Sequence, residues 1–200
     1  ATIGVLSETA SYRCRMSPRR SWVEQIMGLP VSLLARGERA DSAAAVWQSE
    51  DGDRRTLTYR ELSTEVTRLA EALAALGVAA GDRVAIFLPM SPEVAIASHA
   101  CAHLGAVQVP VFSGFAAPAI AGRLQHAEAK VVVTADGSLR RGRKVPMKAL
   151  VDEALAESPS VEHVVVWRRL GDGDVAMQAG RDLFWEDAVA DSPGELEPHL

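Results

Sequence analysis

The sequence predicts an α/β fold, a parallel sheet flanked by helices, and three observations carry that expectation. Runs of β-branched and apolar residues alternate with helical patterns of roughly 10–18 residues. Most of those runs are continuously apolar, as strands buried on both faces require, and do not alternate with polar residues. Glycine and proline stand at the joints. With 200 residues, 48% hydrophobic and 24% charged, the chain is long enough to bury a core and is ordinary in composition for a globular protein.

Residues 1–42 read as an appendage without an assigned role. Arg13, Arg15, Arg19, Arg20, Arg36 and Arg39 give it the bias of an organelle transit peptide. Trp22, Val23, Ile26 and Met27 suit a short packing helix equally well. The α/β segment runs from 43 to 190. Ala44–Gln48 is its first strand, Glu50-Asp-Gly-Asp53 a turn, and Thr56–Tyr59 the returning strand. Thr58 caps a helix, with Glu61 three residues on completing a capping box. Leu62, Val66, Leu69, Leu73 and Leu76 then form one apolar stripe, and Gly77 ends it.

Arg83–Leu88 is a buried strand closed by Pro89. Ser91-Pro92-Glu93 starts a helix that runs to Leu104 and stops at Gly105. Ala106–Val111 is the next strand, Pro118–Ala127 a helix, and Lys130–Thr134 a strand. Met147–Glu157 reads as a helix, Glu162–Trp167 as a strand, and Leu183–Ala190 as a last short helix. Residues 191–200, acidic and containing proline, read as a linker-like tail.

Composition and charge narrow the function. A net charge of −5 argues against a general nucleic-acid binder. No apolar run approaches the ~18 residues that span a membrane. Cys14 and Cys101 make no disulfide framework, so a reduced, cytoplasmic setting is the expectation.

Ligands of parallel sheets bind beyond the carboxyl ends of the strands. Three such edges are candidates: Leu88–Ser91, Val111–Phe115 and Thr134–Lys144. The last holds Arg140, Arg141, Arg143 and Lys144 within five positions of an acidic chain. Arginine grips phosphate with paired hydrogen bonds. In Phe112-Ser113-Gly114-Phe115, a glycine lets backbone approach a ligand and a phenylalanine offers a stacking face. From the residues alone, a turn between strand and helix with two core phenylalanines is the preferred reading of that segment. His99 and His103, four apart on a helix, have metal-ligand spacing but no marked third partner, and read as structural. Asp152-Glu153 and Glu186-Asp187 read as solvated carboxylates on helix surfaces. No Gly-x4-Gly-Lys-Ser/Thr loop, nucleophile elbow or complete catalytic constellation is present. The sequence yields no catalytic residue and no metal ligand.

The span from about 43 to 180 resembles the front part of an AMP-forming acyl-CoA synthetase of the adenylate-forming superfamily. The carrying phrases are Thr56–Leu62, Leu76–Met90, Pro92-Glu93, Leu104–Ala106, Phe112–Phe115 and Ala127–Asp136. The Phe-Ser-Gly-Phe segment, together with Arg140-Arg-Gly-Arg143, points to the acetyl- and propionyl-CoA synthetase branch. The resemblance implies part of that family's large N-terminal domain. It implies a ligase that joins a short-chain carboxylate to CoA through an acyl-adenylate, using ATP with magnesium. It also implies that Phe112, Ser113 and Gly114 line the CoA nucleotide site, with Arg140 and Arg143 on its phosphates or adenine. Ser113 stands where the branch often has glycine and adds a hydroxymethyl group there. The family's phosphate loop and catalytic lysine would follow this segment, so neither Lys144 nor Lys148 is that lysine. The chain alone is therefore expected to be inactive, with self-association through an uncovered face. The alternative is a stand-alone, non-catalytic CoA-binding or interaction module.

Overall fold

A computed structural model describes residues 38–171 and 175–199. The appendage, apart from residues 38–42, lies outside them, as does Cys14. Two strands, β1 (Ala43–Gln48) and β2 (Arg54–Thr58), pair antiparallel. Helix α1 (Tyr59–Ala75) follows at once. Its capping box forms as the sequence predicts: Glu61 N–H donates to the Thr58 hydroxyl at 3.2 Å, and Thr58 N–H donates to the Glu61 carboxylate at 2.8 Å. Such a cap contributes about 0.5–2 kcal/mol. Leu62, Val66, Leu69 and Leu73 face the core.

The main sheet has five parallel strands in the order β4-β3-β5-β8-β9. These are β3 (Arg83–Phe87), β4 (Val107–Pro110), β5 (Val131–Ala135), β8 (His163–Trp167) and β9 (Asp182–Phe184). Every residue of β5 is buried, which explains why its sequence carries no polar alternation. Helices α2 (Pro92–His103), α3 (Ala117–Ala127) and α4 (Met147–Leu155) connect the strands. After β3 the chain steps outward to β4, then crosses back to β5 on the other side of β3. That reversal is the topological switch point at which open α/β sheets take their ligands.

Three expectations are corrected. The basic stretch after β5, expected only as a strand-end edge with no strands of its own, is a hairpin of β6 (Ser138–Arg140) and β7 (Arg143–Val145). Its two-residue turn has positive φ at both positions, 52° at Arg141 and 71° at Gly142, which is the type I′ geometry that suits strand twist. The expected helix from Leu183 instead opens with strand β9, leaving α5 (Trp185–Ala188) as a single turn. Strand β8 supplies the paired edge that helix propensity cannot anticipate, matching Val164–Val166 to Asp182–Phe184. Asp152 is not merely solvated: it accepts from Lys148 Nζ and Arg181 Nη2, each at 2.7 Å.

Residues 191–199 lie along α1 and α2. The Glu71 carboxylate accepts the amides of Gly194, Glu195 and Leu196 at 2.8, 2.6 and 2.9 Å. His103 reaches the Leu196 carbonyl at 2.7 Å, which gives that histidine a structural task. Desolvation works against the ionised Glu71, but those three amides and nearby His103 outweigh it and lower its pKa.

Candidate functional site

The Phe112–Phe115 segment is a turn between β4 and α3, closed by Phe115 N–H donating to the Phe112 carbonyl at 3.0 Å. Phe112 is 60% exposed, so it is not the core residue that the sequence alone allows. Phe115 is half-buried and meets Phe112 edge-on, with ring centroids 5.6 Å apart. Ser113, at the turn's second position, is half-buried.

The hairpin rises from the carboxyl end of β5, two strands away in the sheet order. Asp136 fixes its root. That carboxylate accepts the amides of Gly137 at 2.6 Å, Arg169 at 2.9 Å, Leu170 at 3.1 Å and Gly171 at 2.9 Å. The base of β6 is thereby locked to the loop after β8. In the hairpin register Arg140 stands directly opposite Arg143. Cross-strand partners project from one face with Cβ atoms about 4.5–5.5 Å apart, and like charges so placed destabilise a sheet. Neither arginine has an acidic partner among the described residues, and both are exposed.

The two edges meet. The Arg140 guanidinium lies 5.7 Å from the Phe112 ring centroid. Gly114 sits beneath the pair: a Cβ there would lie 2.7 Å from Phe112 Cε1 and collide with Arg140 Nη1. The structure therefore gathers Phe112, Gly114 and Arg140, with Ser113 in the same turn and Arg143 across the hairpin. The Leu88–Ser91 edge follows the intervening strand β3, and there the Met90 carbonyl accepts Trp47 Nε1–H at 2.6 Å. A flat exposed ring, bare backbone and two forked cations can hold a phosphorylated nucleotide.

Other groups have structural duties. Lys148, 2% exposed, is held between Asp152 and Asp182, the latter at 2.9 Å. Burial pushes the Cys101 thiol up to about 12, which removes it as a nucleophile. Arg168 pairs with Glu186 at 3.3 Å on the surface, where such pairs contribute little. Among the described residues no group of three or more His, Cys, Asp and Glu side chains is arranged to hold a metal ion. No described helix is long and apolar enough to cross a membrane. A cavity of about 330 Å³ lies elsewhere, between α1, α2 and α5, with Glu93, Trp167 and Trp185 in its wall.

Comparison with known proteins decides the family. The model of the AMP-binding enzyme family matches residues 35–196. The chain belongs to that family. Over 164 residues it is 51% identical to an acetyl-coenzyme A synthetase of Rhodopirellula baltica, covering 79% of this chain and 24% of the relative. An acetyl-coenzyme A synthetase of Mycobacterium tuberculosis is 53% identical over 152 residues, covering 74% and 23%. Among solved structures, an acetoacetyl-CoA synthetase from Streptomyces lividans superposes with a TM-score of 0.75 and 31% identity, covering 84% of this chain and 25% of that one. The chain therefore spans about a quarter of the length of these AMP-binding relatives. The α/β architecture expected from the resemblance is the one observed.

Sequence reasoning missed two residues that shape the site. Asp136 enters the sequence reading only as the end of the Ala127–Asp136 phrase, and its four amide partners reveal it as the root of the hairpin. Arg123, on the exposed face of α3, lies 4.2 Å from the Phe115 ring centroid. It resembles any surface arginine in sequence, and no local signal marks it.

Proposed function

We propose that this chain is the N-terminal segment of an acetyl-CoA synthetase-like ligase and carries part of its CoA nucleotide site. The observation that carries the reading is the pair Arg140 and Arg143, directly opposed and without acidic partners, beside the exposed ring of Phe112. Placing two cations face to face is unfavourable in the free protein, and an anion between them reverses that sign. In this reading Phe112 stacks on the adenine and Gly114 allows close approach. Ser113 borders the base, and Arg140 and Arg143 hold the phosphates. The substrates of the whole enzyme are CoA, ATP with magnesium and a short-chain carboxylate. The 200 residues, which span about a quarter of these relatives' length, are expected not to form the adenylate on their own.

Calorimetric titration of the 200-residue chain with CoA and with dephospho-CoA tests the site. CoA is expected to bind more tightly than dephospho-CoA, and Arg140→Glu with Arg143→Glu to abolish the preference while leaving the circular dichroism spectrum unchanged. Equal affinity for both ligands in the wild type would remove the phosphate assignment. Acetate-dependent exchange of pyrophosphate into ATP by the same sample would overturn the inactivity.

A further inference from the structure

Resting on that reading, we propose that Arg123 is a positioning residue that sets the orientation of the Phe112 ring through Phe115. An exposed phenylalanine at a turn has little to fix its χ angles, and Phe112 is 60% exposed. A ring that must present one face to a flat ligand loses affinity for every orientation it samples in the free protein. Here a stack of four groups removes that freedom. Arg123 covers Phe115 at 4.2 Å, Phe115 meets the edge of Phe112 at 5.6 Å with an interplanar angle of 69°, and Arg140 lies 5.7 Å from the Phe112 ring. A cation over an aromatic face and an edge-to-face ring pair are both favourable electrostatic geometries.

The stack is anchored at the Arg123 end. Arg123 stands in the middle of α3, where its Nη1 donates to the Ala119 carbonyl one turn back at 3.3 Å. Phe115 is half-buried against the core, while Phe112 and Arg140 form the exposed end of the stack. Arg123 is two rings removed from the hairpin cations, so its effect passes through ring geometry and not through contact with phosphate. A cation–π contact at an exposed site corresponds to about a two- to fivefold change in an equilibrium constant.

The test combines fluorine NMR with CoA titration on the full chain. The protein is labelled with fluorophenylalanine, whose four positions are few enough to resolve. Phe112→Leu and Phe115→Leu assign the lines. Arg123→Ala is expected to move the Phe112 line as well as the Phe115 line and to weaken CoA about two- to fivefold. Arg123→Lys, which keeps a cation over the ring, is expected to restore most of both. A Phe112 line that stays in place in Arg123→Ala overturns the proposal, and so does an unchanged CoA affinity in a wild type that binds. If the wild type binds no CoA, the reading of the nucleotide site falls, while the Phe112 line still decides whether Arg123 holds that ring.

Discussion

Two clusters in this protein use the same kinds of charged side chain in opposite ways. In the first, between α4 and β9, Lys148 and Arg181 face Asp152 and Asp182 at distances of 2.5–2.9 Å. Lys148 is 2% exposed and the Asp182 side chain 0%. In the second, at the hairpin, Arg140 and Arg143 stand opposite each other in solvent with no acidic partner among the described residues. The buried cluster is neutral, hydrogen-bonded and complete. The exposed pair has no ion-pair partner among the described residues, and the carboxylate at the turn, Glu50, accepts the Gly142 amide at 3.3 Å. Charge density alone therefore does not separate the two clusters; whether the fold itself compensates the charge does.

The largest effect expected from this contrast is on stability. Removing one member of a buried, compensated cluster leaves the others charged and desolvated, at about 3–5 kcal/mol. Asp182→Ala is expected to lower the urea unfolding free energy by that amount. The same substitution changes the response to acid. Burial alone would raise the Asp182 carboxyl, but hydrogen bonds from Arg181, the Gln178 amide and Lys148 outweigh it and hold it below the ordinary aspartate value. A depressed native pKa gives stability that is fully present above the unfolded value, about 3.9, and is lost as pH falls through the native one. Wild type should therefore lose stability from about pH 4 downward, with a shallower slope in Asp182→Ala. Parallel slopes would place the acid sensitivity elsewhere.

The hairpin should behave in reverse, with a large effect on binding and almost none on folding. A hydrogen bond to a charged partner contributes about 1.5–3 kcal/mol. Arg140→Ala is expected to weaken CoA by about 10- to 100-fold and to shift the unfolding midpoint within the scatter of ordinary surface substitutions, about 0.5 kcal/mol. A loss of stability comparable to that of Asp182→Ala would erase the distinction between the clusters. A smaller effect is expected at Gly114. The methyl group of Gly114→Ala needs the space held by Phe112 and Arg140, both side-chain ends that can move. Holding them off their preferred rotamers should reduce CoA binding by about 0.5–1.5 kcal/mol and leave the fold intact.

How much of this was legible in the sequence follows from the same contrast. Strands β3, β5 and β8 and helix α1 could be read because local pattern and tertiary role agree: apolar runs are buried, and the Thr58–Glu61 cap is complete within four residues. Strand β9 could not, because Asp182–Phe184 is a strand only by virtue of its partner β8. The hairpin escaped because Arg-Gly is not the Asn-Gly or Asp-Gly pair that signals a type I′ turn. Arg141 adopts its φ of 52° without the side chain that usually tolerates it. The basic cluster was visible as composition, but the opposition of Arg140 and Arg143 depends on register, which only pairing reveals. The family resemblance named Phe112, Ser113, Gly114, Arg140 and Arg143; neither composition nor spacing reached Arg123 or Asp136.

The smallest expected effect is also the one whose sign separates the two clusters. If the hairpin cations served the fold, exchanging one for a carboxylate would weaken it. If they serve a ligand, the same exchange relieves a repulsion that the free protein bears. Arg143→Glu converts a like-charge cross-strand pair into an opposite-charge pair facing Arg140. Such pairs differ from neutral ones by about 0.2–1 kcal/mol. The variant is therefore expected to be slightly more stable than wild type while binding CoA far more weakly. The gain should fade with added salt, because exposed charges are screened over about 8 Å at physiological ionic strength. Urea titrations at low and high salt, paired with CoA calorimetry, measure both signs in one protein. A variant that loses stability and affinity together would make the hairpin a structural element like the Lys148–Asp182 cluster.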